Sequence, residues 1–447
     1  MRRAFYLGFR HLSSLEWRIR RRFTGTGIWL LGVLFASAVL GLDTNQTVAY
    51  QAFSFVLAAL VVALAANRSW RARLSVDRVV PRFASAGERL IYKIAVRNHG
   101  PRALRGLLLS EDLEDPRPSY EEFLQAREPG EDRRNRFDRA IGYFRWVWLV
   151  SKRQSALAGH LPVPALPPGG QCELRAEITP LRRGRLTLTG VTVARPDSLG
   201  VCKAAVSVPA THSVLVLPRR YPVPPLELPG TRKHHQGGVA LASSVGDSEE
   251  FVSLREYRPG DPLRRIHWRS CARVGKLIVK EHQNEFFVRH ALVLDTFVDS
   301  EPSDLFEEAV SVAASLAYTI QTQESLLDLL FVGPTAYCFT AGRGLGQAER
   351  MLEVLACVRA CRTAPFSALH HLVIQHHALV SGCICVLMAW DEDRRRLVGE
   401  LTALGVPTLV LLIAGAEAAD TPDAEGARLA RFHRLEVGRI AEGLARL

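Results

Sequence analysis

The sequence predicts a multi-domain chain: a transmembrane helical hairpin, an antiparallel β-sandwich of immunoglobulin-like type, and a C-terminal doubly wound α/β domain. Three observations carry this. Two long uncharged segments stand near the start, period-two alternation follows, and beyond about residue 251 apolar strands alternate with helical patterns. At 447 residues the chain can build two or three cores without disulfides or a structural metal. Its eight cysteines form no CxxC pair and no framework spacing, which suits a reducing compartment.

The basic N-terminus (1–22) leads into FTGTGIWLLGVLFASAVLGL (23–42), and VAYQAFSFVLAALVVALAA (48–66) follows closely. Each segment is about 20 residues, the length that crosses a bilayer core. The intervening DTNQT carries no basic residue, whereas the flanks read RIRRR (18–22) and NRSWRAR (67–73). The positive-inside rule therefore keeps both flanks in the cytoplasm and makes residues 23–66 a tight hairpin. The expected location is the plasma (inner) membrane, multi-pass, with the bulk of the chain cytoplasmic. A net charge of +12, carried mostly by arginine, favours anionic partners or a membrane surface. Charge alone does not choose among lipid, nucleic acid and acidic protein; nucleic acid is not among the expected partners.

Residues 74–218 read as the sandwich. RLIYKIAVRN (89–98), QCELRAEI (171–178), RLTLTGVTVA (185–194) and SVLVLP (213–218) alternate apolar and polar positions, so each strand has one buried and one wetted face. SAGE (85–88), NHGP (98–101), PPGG (167–170) and RRGR (182–185) supply turns. An excursion over 112–160 contains FDRAIGYFRWVWLVSKR (137–153), which reads either as a helix at the membrane interface or as a piece packed on the sandwich. The second is favoured, because apolar faces more often serve a core. A proline-rich stretch, PRRYPVPPLELPG (218–230), opens a linker over 219–250.

In the last domain (251–447), strands are expected at 290–298, 326–333, 383–390 and 406–414, with helices at 303–321 and 346–361. Continuous apolar strands between helices predict a parallel sheet covered on both faces. Ligands in such sheets sit at strand carboxyl ends, which draws attention to Asp295 and Asp299. With Phe297 between them, where a hydroxyl ligand would be wanted, no metal is expected. AGRGLG (341–346) lacks the lysine and hydroxyl of a phosphate loop and reads as a glycine turn. His370, His371, His376 and His377 match no zinc spacing and read as surface histidines, and Cys383 and Cys385 as core. No catalytic residue and no cofactor is expected.

One segment stands apart. EYRPGDPLRRIHWRSCARVGKLIVKEH (256–282) is dense in arginine, and Asp261 and Pro262 read as the N-cap and first position of a helix running to about Arg273. In that register Leu263, Ile266 and Ser270 share one face, Arg265, Arg269 and Arg273 another, and Arg264 stacks one turn before Trp268. Arginine rather than lysine suits planar recognition of carboxylate or phosphate. Arg255, Arg258, Asp261, Arg264, Arg265, His267, Trp268, Arg269 and Arg273 are therefore the candidate docking residues. Alternatives are acid/base work by Asp261 and His267 beside a phosphate-containing or cell-envelope substrate, and binding of anionic lipid by the arginines.

This segment resembles the signature of domain-of-unknown-function family 58, and the resemblance extends to the hairpin, to RRGRLTLTGVTVARPDSLGV (182–201) and to the α/β region. It implies a bacterial protein with two N-terminal spans and a C-terminal domain like that of von Willebrand factor A. It also implies company with MoxR-type AAA+ ATPases, and hence a membrane-anchored, non-enzymatic adaptor for such an ATPase or its client proteins. The metal motif DxSxS of that domain type would fall on Asp295, Phe297 and Asp299, with both serine positions lost.

Overall fold

The structure, a computed structural model, describes residues 2–40, 47–68, 70, 72–224, 251–259, 261, 263, 266–282, 289–298, 303–321, 326–341, 345–415 and 430–447. The basic N-terminus forms helix α1 (Arg2–Arg22), which Phe23 and Thr24 join to α2 (Gly25–Leu40). Helix α3 (Thr47–Arg68) follows, and within it Val48–Asn67 is, among the described residues, the one helix long and apolar enough to cross a membrane. The expectation of two full spans is thus reduced: α2 is apolar but has 16 residues, and 41–46 lie outside the described residues. Leu30 and Leu34 of α2 share a cluster with Val56, Leu60 and Ala63 of α3, closed by Val201 and Cys202. At Gly27 a Cβ would overlap the carbonyl oxygen of Val201, so only glycine permits this approach.

The sandwich comprises β1 (Leu74–Val79), β2 (Phe83–Ser85), β3 (Leu90–Asn98), β4 (Leu107–Leu113), β5 (Ala156–Ala158), β6 (His160–Val163), β7 (Gln171–Pro180), β8 (Gly184–Pro196) and β9 (Lys203–Leu217). One sheet runs β1-β3-β7-β5 and the other β2-β9-β8-β4-β6. Alternation does the work: Leu90, Tyr92, Ile94 and Val96 of β3 face Leu109, Leu188, Val191 and Val214 in a common core. Inside that core the Arg78 guanidinium pairs with Glu111 at 2.6 Å and donates to the carbonyl of Gly190, while the Tyr92 hydroxyl donates to Glu111 at 2.7 Å. Burial raises the Glu111 pKa, and Tyr92 and Arg78 only partly offset it.

The excursion folds as α4 (Tyr120–Gln125), α5 (Arg136–Ile141) and α6 (Tyr143–Arg153). Ser119 caps α4 in a reciprocal box with Glu122. Its apolar face is used differently from the expectation: Phe123, Trp146 and Leu149 close on Tyr6 of α1, whose hydroxyl donates to the Pro118 carbonyl at 3.1 Å. The partner is the N-terminal helix, a segment that the sequence reading describes only as a basic N-terminus.

The signature segment forms β10 (Phe251–Glu256), α7 (Trp268–Val274) and β11 (Ile278–His282), with the two strands antiparallel and separate from the other sheets. The α/β domain follows as β12 (Arg289–Leu294), α8 (Asp304–Gln321), β13 (Leu326–Val332), β14 (Ala336–Ala341), α9 (Leu345–Cys357), α10 (Ser367–His376), β15 (Gly382–Leu387), α11 (Glu392–Ala403), β16 (Thr408–Ala414), β17 (Arg431–Glu436) and α12 (Ile440–Leu444). The sheet order is β14-β13-β12-β15-β16-β17, parallel except at β14. Leu292 and Leu294 pack beneath α8, α9 and α12, and Ala291 and Val293 beneath α10 and α11, so the sheet is covered on both faces. The crevice between β12 and β15 is the topological switch point.

His290 of β12 is fully buried, and neither ring nitrogen has a hydrogen-bond partner among the described residues. Burial pushes its pKa down to about 4. A depressed folded pKa means stability that is complete above the unfolded value near 6.5 and is lost as pH falls from there towards 4, by about 3 kcal/mol in all. Thermal unfolding of the detergent-solubilised protein should therefore weaken across that window. His290→Leu should remove this part of the slope; an unchanged slope would contradict the assignment.

Arg183 and Tyr221 make two of the contacts that join the sandwich to the α/β domain. Gly184, at φ 104, lets the RRGR turn double back, and Arg183 beside it reaches the carbonyls of Leu355 (3.2 Å) and Val358 (2.6 Å) at the end of α9. Arg183 also pairs with Glu307 and lies 5.0 Å over the Phe306 ring. Tyr221, in the first part of the expected linker, packs on α8, its N–H donating to Ser315 Oγ at 2.8 Å and its hydroxyl to Glu308 at 2.6 Å. Residues 225–250 lie outside the described residues. Between these contacts lies a cleft of about 330 Å³ lined by Lys152, Arg182, Arg219 and Asp304 among others.

Candidate functional site

The signature segment is a braced surface loop rather than a long helix. Arg255 projects from β10 and donates to both oxygens of Asp261 at 2.8 Å, and the Arg258 N–H donates to the same carboxylate at 2.8 Å. These bonds, Arg255 foremost, hold the Asp261 carboxyl down to about 2. Asp261 thus fastens the turn Arg258–Asp261 back onto its own strand. The sequence reading of one helix running from Asp261 to about Arg273 is corrected, because Ile266 bridges β11 between them. The helix begins seven residues after Asp261, with His267 at its N-cap position.

The cause is the pull of β11. Ile266 is buried and bridges Val279, and the His267 N–H donates to the Ile278 carbonyl at 2.9 Å, so this stretch is extended and cannot turn into helix. His267 Nδ1 lies 2.7 Å from Ser270 Oγ, and the Ile278 N–H meets Cys271 Sγ at 3.1 Å. Gly275, at φ 72, ends α7 in the left-handed region and returns the chain to β11.

The inner side of α7 is therefore Ser270 and Cys271, and its outer side carries Trp268, Arg269 and Arg273. Trp268 is 67% exposed, and Leu263 (67%), Val274 (58%) and Leu277 (46%) are exposed around the same short segment. Arg258, Arg269 and Arg273 are exposed as well. Arg264 and Arg265 of the expected stripe lie outside the described residues.

At the carboxyl end of β12 the structure presents something that sequence reading missed. Asp295 is fully buried; one oxygen accepts from the Phe297 N–H (3.1 Å), the other from the Met388 N–H (3.1 Å) and Arg394 Nε (2.7 Å). Arg394 reaches the switch point from the first turn of α11, which Asp391 caps. It also pairs with Asp391 and lies 4.7 Å over the Phe366 ring, which packs against Phe297 at 5.5 Å. Burial works against the Arg394 charge, but Asp295 and Asp391 outweigh it and raise its pKa above the ordinary value. Asp299 lies outside the described residues. Among the described residues the Asp295 oxygens are taken by two N–H groups and the Arg394 guanidinium, a cationic donor set that does not suit a hard cation.

Of the histidines, His370 pairs with Glu400 at 2.6 Å, while His376 and His377 bond carbonyls of their own helix. Cys383 and Cys385 are buried in β15. Among the described residues no three His, Cys, Asp or Glu side chains are grouped to hold a metal. Residues 342–344, inside the glycine turn after β14, lie outside the described residues.

Comparison with known proteins bears on the module just described. Residues 253–379 match the family described as protein of unknown function DUF58. The match begins within β10 and takes in the braced turn, α7 and the first half of the α/β domain. A protein of Bacillus subtilis strain 168, named uncharacterized protein YeaD, is 25% identical over 322 residues, spanning 71% of this chain and 70% of that one. Among solved structures, the CARDB domain of PF1109 from Pyrococcus furiosus is 13% identical with a TM-score of 0.17, covering 32% of this chain and 94% of that one. A GH20 exo-β-N-acetylglucosaminidase from Vibrio harveyi is 9% identical with a TM-score of 0.16, covering 81% of each chain. Likenesses as loose as these two carry no weight for fold or function.

Proposed function

We propose that the protein is a membrane-anchored, non-enzymatic adaptor whose signature module docks a MoxR-type AAA+ ATPase or one of its client proteins at the inner face of the plasma membrane. One observation carries the docking role: a solvent-exposed Trp268, with Arg258, Arg269 and Arg273 exposed on the same short segment, on a loop braced from within by Arg255 and Asp261. Aromatic and arginine side chains presented on a pre-ordered frame are the anchors that protein interfaces favour. The acid/base alternative has less support, because Asp261 spends both oxygens on Arg255 and His267 is turned to Ser270.

A transmembrane hairpin, α2 with α3, supplies the tether in this reading. Thr24 at the start of α2 donates its N–H to Val201 at 3.0 Å, and Ala63 near the end of α3 packs on the same β8–β9 tip, so both cytoplasmic ends would meet one face of the sandwich. Basic residues flank these ends. The α/β domain would be a von Willebrand factor A-like module that has exchanged its cation for Arg394. That exchange supports a scaffold role over metal-dependent adhesion.

The test is co-purification from mild detergent with a MoxR-type ATPase of the same organism. The wild type should retain the ATPase, and Arg269→Glu/Arg273→Glu should lose it at least tenfold while keeping membrane insertion and melting temperature.

A further inference from the structure

Helix α1 has two unlike sides. Tyr6 and Phe9 face the aromatic cluster of the excursion, Ser14 meets Arg117, and Arg21 reaches Thr192 of the sandwich. Opposite these, at the spacing that keeps residues on one helical face, stand Phe5, Leu12, Leu15 and Ile19. Among the described residues most of that side is uncovered: Phe5 is 38%, Leu12 64% and Leu15 49% exposed and Ile19 is half-buried, while Leu7 and Trp17 are exposed outside the stripe. Arg18, Arg22 and His11 border the stripe on one flank and Arg20 on the other, and the sole acidic residue of the helix, Glu16, is paired with Arg20 at 2.9 Å.

We infer that α1 lies in the plane of the membrane interface, its Phe5–Leu12–Leu15–Ile19 stripe in the acyl boundary of an anionic cytoplasmic leaflet. Three features select lipid as the occupant. The stripe is narrow and bordered by arginine, the composition of helices that lie on membranes. Its basic flanks complement anionic headgroups. Only Phe23 and Thr24 separate the helix from the apolar α2, so the end of α1 is held at the depth where the tether enters the bilayer. The inference rests on the reading of α2 and α3 as the tether. It gives α1 a second duty, as the layer between bilayer and excursion: the same helix that meets lipid carries Tyr6 into the Phe123–Trp146 cluster, and so sets the height and tilt of the cytoplasmic domains.

The experiment uses the full chain in vesicles of phosphatidylethanolamine and phosphatidylglycerol, with the exposed Cys338 and Cys357 replaced by Ser. An environment-sensitive fluorophore is placed by Leu12→Cys or Leu15→Cys on the stripe, by Phe55→Cys within α3, and by Arg89→Cys on the sandwich surface. Brominated lipids then quench by depth. The stripe labels should be quenched more by lipid brominated near the headgroup end of the acyl chains than by lipid brominated deeper. The Phe55 label should show the reverse order, and the Arg89 label neither. Stripe labels as unquenched as Arg89, beside a quenched Phe55, would overturn the α1 assignment and leave the tether standing. Quenching on the stripe without quenching at Phe55 would support α1 and overturn the tether.

Discussion

Replacing Arg394 by Met is expected to destabilise the α/β domain by about 3–5 kcal/mol, the usual cost of stranding one member of a buried ion pair. Asp295 is fully buried and Arg394 is the only side-chain cation bonded to it among the described residues. Two backbone N–H groups would remain on the carboxylate, from Phe297 and Met388, and these do not neutralise it. Met keeps the contact with the Phe366 ring, so the loss is electrostatic and not a cavity. The double variant Asp295→Asn/Arg394→Met should recover most of the stability, since a neutral amide keeps its acceptor for the Phe297 N–H. Denaturant unfolding in detergent measures both. A single variant that melts like the wild type would show that the switch point is solvated and that the guanidinium is not its counter-charge.

A second loss of the same size is expected in the sandwich. Glu111→Ala should cost about 3–5 kcal/mol, because it leaves the Arg78 guanidinium, with no exposed side-chain surface, held among the described residues only by the carbonyls of Gly190 and Ala210. The Tyr92 hydroxyl loses its acceptor in the same step. Arg78→Met/Glu111→Leu, which removes both charges and fills the volume, should return to within about 1–2 kcal/mol of wild type. A near-neutral single variant would contradict the picture of a closed, dry core at this point.

The two cases mark what the sequence shows and what it hides. Periodicity is a local property, and it located β3, β7, β8 and α8 to within two residues and the buried strands of the α/β domain to within four, because each such element buries one face or both. Arg78, Arg183 and Arg394 were invisible for the opposite reason. Their partners stand far along the chain, at Glu111, at the end of α9, and at Asp295, and nothing in an arginine's own neighbourhood tells a buried clamp from a solvated charge. The continuous helix expected from Asp261 to about Arg273 failed through a competition of local rules. Asp-Pro is a good helix opening, but a carboxylate in a turn also satisfies a nearby N–H, and the arginine on β10 with the strand β11 decided between them. The apolar helix α3 was legible in composition, whereas α1 was concealed by its own arginines, which drown an apolar stripe in any average over the segment.

The proposed function is one of anchorage and presentation. The switch point is closed by an internal ion pair, Arg183 ties the sandwich to the α/β domain, and what faces outward on the signature module is Trp268 among arginines. The most direct measurement of the docking claim is the affinity of the purified, detergent-solubilised chain for a MoxR-type ATPase of its own organism, compared between wild type and Arg269→Glu/Arg273→Glu. A loss of tenfold or more, about 1.4 kcal/mol, with unfolding unchanged, is the result that a docking module predicts. Equal affinity for both proteins, or none for either, would contradict it.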